Sequence, residues 1–454
     1  MNTMQMQMDF GGLSEGRFDR GPAEFVAARL AKGPEEEDRL MEMICERENM
    51  LKALKRVESN KGAPGVDRMK TTQLRGYLRR HWEKIKVAVL EGTHKPFPVR
   101  RAEIPKEGGG IRLLGIPTVL DRLIQQAMAQ ILSAIWEHTF SEYSYAFRPG
   151  RSQHMAIRQA KCYVEAGYTH VVDIDLSKFF DRVHHDRLMH RIERRIRDKR
   201  VLRLIRAYLN SGIMTGDIIV TPEEGTPQGG PLSPLLANIV LDELDKELEK
   251  RGLRFVRYAD DVAIYVRSPK AAERVKRSVT RFITRKLKLV VNEKKSEVTR
   301  PWHSKYLGFR ITRFMGKTRI GIHDKSLRHF RDRIREITAR KRGRSLIQIV
   351  EELNSFLRGW AAYYALGLTK TLAQKLDHWT RRRLRAYVWG QWKRPSARVR
   401  NLKAGGIPHK WAMKVGNTRK GPWRLSRHGS LCAIRPDSYF TVLLGLVLLG
   451  SFCR

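Results

Sequence analysis

Two acidic sites stand in apolar surroundings. In Tyr258-Ala259-Asp260-Asp261, adjacent carboxylates interrupt a run otherwise built from Phe255, Val256, Val262, Ala263 and Ile264. Burying an unpaired carboxylate costs several kcal/mol. A strand tolerates that cost where a cation sits beside it. Taken alone, the same dipeptide also fits an exposed turn tip, where Asp is common. Asp173 and Asp175 form the second site, among Val171, Val172, Ile174 and Leu176. Two positions apart on a strand, they are expected to share one face. Two apolar strands that both carry carboxylates suggest one shared divalent site. All-oxygen ligands select Mg²⁺ or Mn²⁺. Two such ions, roughly 3.5–4 Å apart, would clamp the attacking and leaving oxygens of an in-line phosphoryl displacement.

Such chemistry needs a polyanionic substrate, and the composition attracts one. The 454 residues hold 89 Lys+Arg against 47 Asp+Glu, a net charge of +42. That balance excludes a typical metabolic enzyme for small neutral substrates and draws nucleic acid or anionic membrane. The charge is uneven. Residues 301–454 hold 34 Lys+Arg and 7 Asp+Glu, or +27. We expect a mixed first two-thirds that does chemistry and a final third that grips polyanion. Hydrophobic residues make up 41%, enough for a core divided among two to four domains of roughly 100–200 residues. Cys45, Cys162, Cys432 and Cys453 form no CxxC pair, so neither a zinc ribbon nor a disulfide framework is expected. The start, MNTMQMQMDFGG, lacks the basic-then-apolar pattern of a signal peptide, and a reducing, cytoplasmic setting fits. Residues 439–452, YFTVLLGLVLLGSF, are nearly all apolar, yet too short for the ~20 residues that span a bilayer. They are expected to be buried and to close the last domain, the alternative being a membrane or partner contact.

These side chains need elements to hold them. Residues 254–266 read as two strands folded at a tight turn, and 170–180 as a strand rich in β-branched residues. Residues 233–250 read as a helix, with Ser233 as N-cap and Pro234 at the first helical position. Further helices are expected from Glu35 to NKGAPG (60–65), along Leu120, Ile124, Met128, Ile131 and Ile135, over about 271–287, and from Asp324 onward. In the last of these, Leu327, Phe330, Ile334 and Ile337 mark one apolar stripe. Leu346, Ile349, Val350, Leu353 and Phe356 mark a second. Residues 99–116 read as two short strands around a Gly-rich turn. Lys106 and Arg112 flank that turn, whose glycines let the backbone approach a ligand. The two cations would neutralise a triphosphate, the alternative being a solvated hairpin. Gln228, in Thr-Pro-Gln-Gly-Gly-Pro before helix 233–250, would be placed by its turn against a base and sugar. Arg381, Arg382, Arg383 and Arg385 lie on a helix with Leu384, Val388, Trp389 and Trp392, followed by Lys393 and Arg394. Cations interleaved with aromatics suit folded RNA, and nothing acidic nearby is expected to balance them.

The arrangement resembles reverse transcriptases, most closely the reverse transcriptase/maturases encoded by bacterial group II introns, in the class that lacks a C-terminal endonuclease. The resemblance covers about residues 35–425. It is carried, in the family's order, by NKGAPGVD (60–67), IPKEGGGIRLLGIPTVLDRLIQQA (104–127), SYAFRPGRS (144–152), DLSKFFDRVHHDRL (175–188), GTPQGGPLSPLLANI (225–239), RYADD (257–261), VNEKKSEV (291–298) and YLGF (306–309). FLRGWAAYY (356–364) resembles the maturase domain. The resemblance implies that Asp175, Asp260 and Asp261 are the catalytic, metal-binding acids. The spacing to Phe179-Phe180 favours Asp175 over Asp173, which becomes a flanking strand residue satisfied locally. It implies nucleotide-binding roles for Lys106, Arg112, Phe180, Gln228 and Lys295. Phe180 would lie under the incoming sugar, where a bulky ring leaves no room for a 2′-hydroxyl. Lys295 would act near the leaving pyrophosphate as an acid or charge stabiliser. Tyr306, Leu307, Gly308 and Phe309 match the primer grip, and Arg381, Arg382, Arg383, Arg385, Lys393 and Arg394 are expected to bind RNA.

The implied fold is α+β, a right hand. An N-terminal extension (1–34) precedes fingers (35–165) and a palm with an antiparallel sheet (166–313). A helical thumb/maturase region (323–400) and a basic tail (401–454) follow. The implied reaction is templated DNA synthesis on RNA from deoxynucleoside triphosphates, with two Mg²⁺ ions or Mn²⁺ in their place. Implied partners are the group II intron RNA and a DNA target or primer, with no membrane. The second implied activity is binding the intron RNA to assist its splicing. One rival reading is an intron-independent reverse transcriptase of the repair or defence type. Another is a non-catalytic RNA-binding splicing factor, against which the intact acidic set argues. The last 30 residues hold one histidine, His428, and two isolated cysteines, so the endonuclease of many relatives is expected to be absent.

Overall fold

Branched and aromatic residues dominate the expected strands, and in the computed structural model they build the sheet that carries both acidic sites. The structure describes residues 39–105, 111–215, 218–220, 229–339 and 342–453. Lys106, Gln228 and the extension 1–34 lie outside them, and Arg112 is described in its backbone only. The described chain forms two compact units that divide between Ser304 and Lys305, inside the stretch expected as palm.

The first unit opens with α1 (Leu40–Cys45) and α2 (Arg47–Ser59). The sequence predicts one helix here. The structure breaks it at Glu46, whose backbone is extended at φ −56°, ψ 139°. Buried Asn49 gives the reason. Its Nδ2 donates to Ile44 O at 2.8 Å and to Ala127 O at 3.1 Å, occupying a carbonyl that a continuing helix would use. Then come α3 (Leu74–Leu90) and the hairpin of β1 (Val99–Pro105) and β2 (Ile111–Ile116), in the expected place. α4 (Val119–Glu137) is buried almost all round, polar Asp121, Gln125 and Gln126 included, and runs through the core. Thr118 caps it, accepting from Asp121 N at 3.1 Å.

After α5 (Gln153–Glu165), β3 (His170–Ile174) enters the sheet, and α6 (His185–Glu193) and α7 (Lys199–Leu209) follow. Strands β4 (Ile213–Thr215) and β5 (Ile218–Val220) extend the β1–β2 hairpin into a sheet of order β2-β1-β4-β5, with β1 and β4 parallel. α8 (Ser233–Lys250) matches its expected bounds, but Ser233 is already helical: Leu232 is the N-cap, no side chain caps the helix, and Pro234 sits in its first turn. β6 (Arg254–Tyr258), β7 (Asp261–Val266), α9 (Pro269–Phe282) and β8 (Glu297–Thr299) complete the unit. The second sheet is antiparallel throughout, in the order β6-β7-β3-β8. Phe255, Val256, Ala263 and Ile264 have no exposed surface. Each large apolar side chain buried this way stabilises by about 1.5–3 kcal/mol.

Two strand and helix ends differ from expectation. β3 stops at Ile174, so Asp175 lies just past the strand. Its N–H donates to Ser296 Oγ at 3.0 Å and its carbonyl accepts from Asn292 N at 2.8 Å. Those partners come from a turn, and Lys178 then takes a left-handed conformation that starts a short 3₁₀ turn, Phe179–Arg182. α9 starts two residues early because Ser268 accepts from Ala271 N and Pro269 fits the first turn. It ends in a π turn, Ile283–Leu287.

The second unit starts with a hairpin, β9 (Phe309–Phe314) and β10 (Lys317–Ile322). α10 (Asp324–Ile337), α11 (Leu346–Tyr364) and α12 (Lys370–Gln391) pack through the two expected stripes. Phe330, Ile334, Ile337, Ile349, Val350 and Leu353 are buried, and Leu327, Leu346 and Phe356 pack against them half-buried. The short helices α13 (Pro395–Ala404), α14 (His409–Gly416), α15 (Pro422–Leu425) and α16 (Gly429–Ile434) surround Trp389 and Leu402. The apolar stretch 439–452 closes the core of this unit through Phe440, Leu446 and Leu449. Asp377 accepts from the N–H groups of Leu449 and Gly450, and Asn354 clasps Gly445 and Val447. Among the described residues no helix is long and apolar enough to cross a membrane.

Candidate active site

The β6–β7 hairpin turns on two residues. Tyr258 and Asp261 form its last pair, leaving Ala259 and Asp260 at the tip. Ala259 has φ +57°, a left-handed conformation that costs an L-residue roughly 1–2 kcal/mol. Two-residue hairpins need positive φ there to match the twist of their strands. The tip therefore presents Asp260 and Asp261 at the end of strands whose interiors are buried.

β3 lies beside β7, with Asp173 opposite Ala263 and Ile174 opposite Val262. That pairing brings Asp173 and Asp175 to the same end of the sheet. Asp173 accepts from Ser304 Oγ at 2.7 Å, and burial pushes its carboxyl up to about 6. Asp261 reaches solvent, yet the surrounding protein strips much of its water. This desolvation, with the charges of Asp260, Asp175 and Asp173, pushes its carboxyl up to about 7. Lys295 opposes the shift. Its Nζ lies 3.8 Å from Asp175 Oδ2, with the Lys295 side chain 69% exposed. Phe179 is buried, while Phe180 packs edge-on against it at 5.2 Å and is only half-buried.

Crowded carboxylates form a donor set suited to a hard cation. Reverse transcriptases use divalent metal ions, and Asp175, Asp260 and Asp261 fit that need. Among the described residues, no three His, Cys, Asp or Glu side chains are placed so that they would hold a metal ion together as they stand.

Tyr306–Phe309 belongs to the second unit. Tyr306 and Phe309 exchange both backbone hydrogen bonds around Leu307 (φ +49°) and Gly308 (φ +81°). A Cβ on Gly308 would stand 2.6 Å from Tyr364 Oη. Tyr363 Oη donates to Leu307 O at 3.1 Å, and Ser326 Oγ to Gly308 O at 2.9 Å. The turn is braced from α10 and α11.

The basic helix differs from expectation. Asp437 pairs with both Arg381 and Arg385, so an acid more than fifty residues downstream offsets part of the charge. Arg385 is buried and also donates to Arg435 O at 2.8 Å. Arg383 donates to Thr338 Oγ1 at 2.9 Å. Arg382 stacks 3.6 Å over the Trp423 ring and donates to Trp423 O. Lys393 and Arg394 are exposed.

Sequence reasoning missed Arg257, which is fully buried beneath the acidic turn against Asp245. The available signal was a lone cation inside an apolar strand, beside a helix with acids on its inner face.

A family model described as reverse transcriptase (RNA-dependent DNA polymerase) matches residues 104–311. A second, the group II intron maturase-specific domain, matches residues 327–406. Protein YkfC of Escherichia coli K12 is 35% identical over 300 residues, covering 57% of this chain and 79% of that protein. The chain belongs to the reverse transcriptases that carry a group II intron maturase domain. The group II intron-encoded protein LtrA of Lactococcus lactis is 35% identical over 242 residues, covering 52% of this chain and 40% of LtrA. The mitochondrial nuclear intron maturase 2 of Arabidopsis thaliana is 31% identical over 177 residues, covering 30% of this chain and 24% of that relative. The chain thus spans under half the length of these two relatives. Within this family the right-hand α+β fold is the common scaffold, and both acidic sites fall inside the reverse transcriptase match.

Proposed function

We propose that this chain is the RNA-directed DNA polymerase of a group II intron. It copies intron RNA into DNA and binds that RNA to assist splicing. The observation that carries the reading is the convergence of Asp175, Asp260 and Asp261 on one end of the palm sheet, with the Asp261 carboxyl pushed up to about 7 by desolvation first and by the neighbouring acids second. Asp175, Asp260 and Asp261 would hold two Mg²⁺ ions, which when bound activate the primer hydroxyl and neutralise the triphosphate. Phe180, half-exposed on its 3₁₀ turn, excludes the 2′-hydroxyl of a ribonucleotide and so selects deoxynucleoside triphosphates. Lys295 supplies positive charge beside Asp175, where pyrophosphate would leave. Lys106, Arg112 and Gln228 complete the nucleotide site, and Tyr306–Phe309 grips the primer.

The test is primer extension on RNA and DNA templates with each nucleotide set. Asp260→Ala should lower extension by more than about 100-fold, the upper end of what losing a mere outer-shell partner costs, while RNA binding survives. Unchanged extension in that variant would refute the metal assignment.

A further inference from the structure

A buried ion pair is poor evidence of stability, since apolar replacements of the same volume are often neutral. Arg257 and Asp245, both without exposed surface, therefore call for another account. Arg257 Nε donates to Asp245 Oδ1 at 2.7 Å and its Nη2 to Oδ2 at 2.5 Å. Its Nη1 donates to Asn238 Oδ1 and to Ala259 O, both at 3.0 Å. Asn238 and Asp245 are seven residues apart on α8, two turns, so both present to one face. Asn238 Nδ2 donates in turn to Ala146 O at 2.9 Å. The Arg257 backbone donates to Tyr143 O and accepts from Tyr145 N.

The carbonyl held by Nη1 belongs to the residue with positive φ, directly before Asp260. A planar guanidinium fixes direction as well as charge, and this one is held by α8 on one side and the segment 143–146 on the other. We propose that Arg257 is a positioning residue for the Asp260-Asp261 pair. Through Asp245 and Asn238 it locks the β6–β7 turn, so that the two carboxylates keep one geometry toward divalent ions and nucleotide. It touches neither. The proposal rests on the polymerase reading above.

Two mild variants test this in the full chain. Arg257→Lys keeps the charge and loses the fork; Asn238→Ala removes one acceptor and leaves the ion pair. Each should lower kcat per active site roughly 10–100-fold, the usual cost of losing an outer-shell partner, with nucleotide KM and RNA affinity changed less than about threefold. Mn²⁺ affinity of the nucleotide-free protein, read by electron paramagnetic resonance, should fall by about tenfold or more. Amide exchange at residues 259–262 should speed up while the rest of β6 and β7 stays protected. A merely structural role would lower Tm and the active fraction but leave kcat per active site, Mn²⁺ affinity and local exchange unchanged, and that result overturns the proposal. Wild type and Asp260→Ala run alongside. A wild type that extends no primer refutes the polymerase reading, and Mn²⁺ affinity and exchange then still decide for or against Arg257. A wild type and an Arg257→Lys that extend equally refute only the positioning role.

Discussion

Phe179 and Phe180 are neighbours of one type with different surroundings. Phe179 fills the core, and Phe180, on the turn that follows Asp175 in the chain, leaves part of its ring exposed. Trimming Phe180 should therefore cost selectivity more than fold. Phe180→Ala should admit ribonucleotides about 10–200-fold more readily, the range of a steric exclusion worth about 1–3 kcal/mol. Competition between ribo- and deoxynucleotides in single-turnover addition reads this directly. Discrimination equal to wild type would reduce Phe180 to packing. Asp261 makes a second prediction. Its carboxyl stands at about 7 when folded, against an ordinary value of 3.8. Between those values the folded protein binds more protons than the unfolded chain, so without metal its stability falls as pH rises from about 4 to about 7. Asp173, raised to about 6, adds a loss of the same sign. Mg²⁺ binds the deprotonated forms, so it should raise Tm more at pH 8 than at pH 5.5. Thermal melts in chelator and in Mg²⁺ check this, beside Asp261→Asn, which should flatten the pH dependence. An equal Mg²⁺ shift at both pH values would remove Asp261 from the ion site.

At the scale of elements, α12 depends on one distant acid. Partial burial pushes the Asp437 carboxyl up, but Arg385 and Arg381 more than offset this and hold it below its ordinary value. Asp437→Ala would leave buried Arg385 with the Arg435 carbonyl and the Phe440 ring but no carboxylate among the contacts named here. Asp437 is itself 49% exposed, so the loss should be about 1–2 kcal/mol, below the 3–5 of a fully buried pair. Chemical denaturation reads it, and an unchanged midpoint would make this contact ornamental. The same helix shows where the sequence was legible and where it was not. Its apolar stripe, like those of α10 and α11, follows from helical period alone. So do the β6–β7 hairpin and the span of α8, because apolar runs, a Pro in the first helical turn and a two-residue tip are local signals; the cap is not, since Leu232 rather than Ser233 is the N-cap. The pairing of Arg381 and Arg385 with Asp437 is not local. Neither is Asn49 reaching Ile44 and Ala127 to break the first helix, nor Arg257 reaching back to Asp245. Each depends on a tertiary neighbour that periodicity does not encode. β3 ends early for the same reason, since Ser296 and Asn292, more than a hundred residues on, take the backbone of Asp175.

Over the whole molecule, +27 of the +42 lies in residues 301–454, but that charge has two uses. Arg381, Arg382, Arg383 and Arg385 hold α12 to Asp437, Trp423 and Thr338. Reversing them would dismantle the unit, and lost RNA binding would then say nothing about grip. Lys393 and Arg394, exposed at the end of the same helix, separate the two uses. Lys393→Glu with Arg394→Glu should leave stability within about 0.5 kcal/mol, as surface changes do. RNA affinity should fall, and each lost phosphate contact should flatten its salt dependence by somewhat under one unit of log–log slope. Addition of one nucleotide to a short preannealed primer should persist, because Asp175, Asp260 and Asp261 belong to the other unit. Long-range grip scales with the phosphates neutralised, whereas the chemical step needs only local geometry. A salt titration of RNA affinity beside single-nucleotide addition, on one preparation, decides the matter. Equal loss in both assays would show that these cations also hold primer and template, and the division between grip and chemistry would fall.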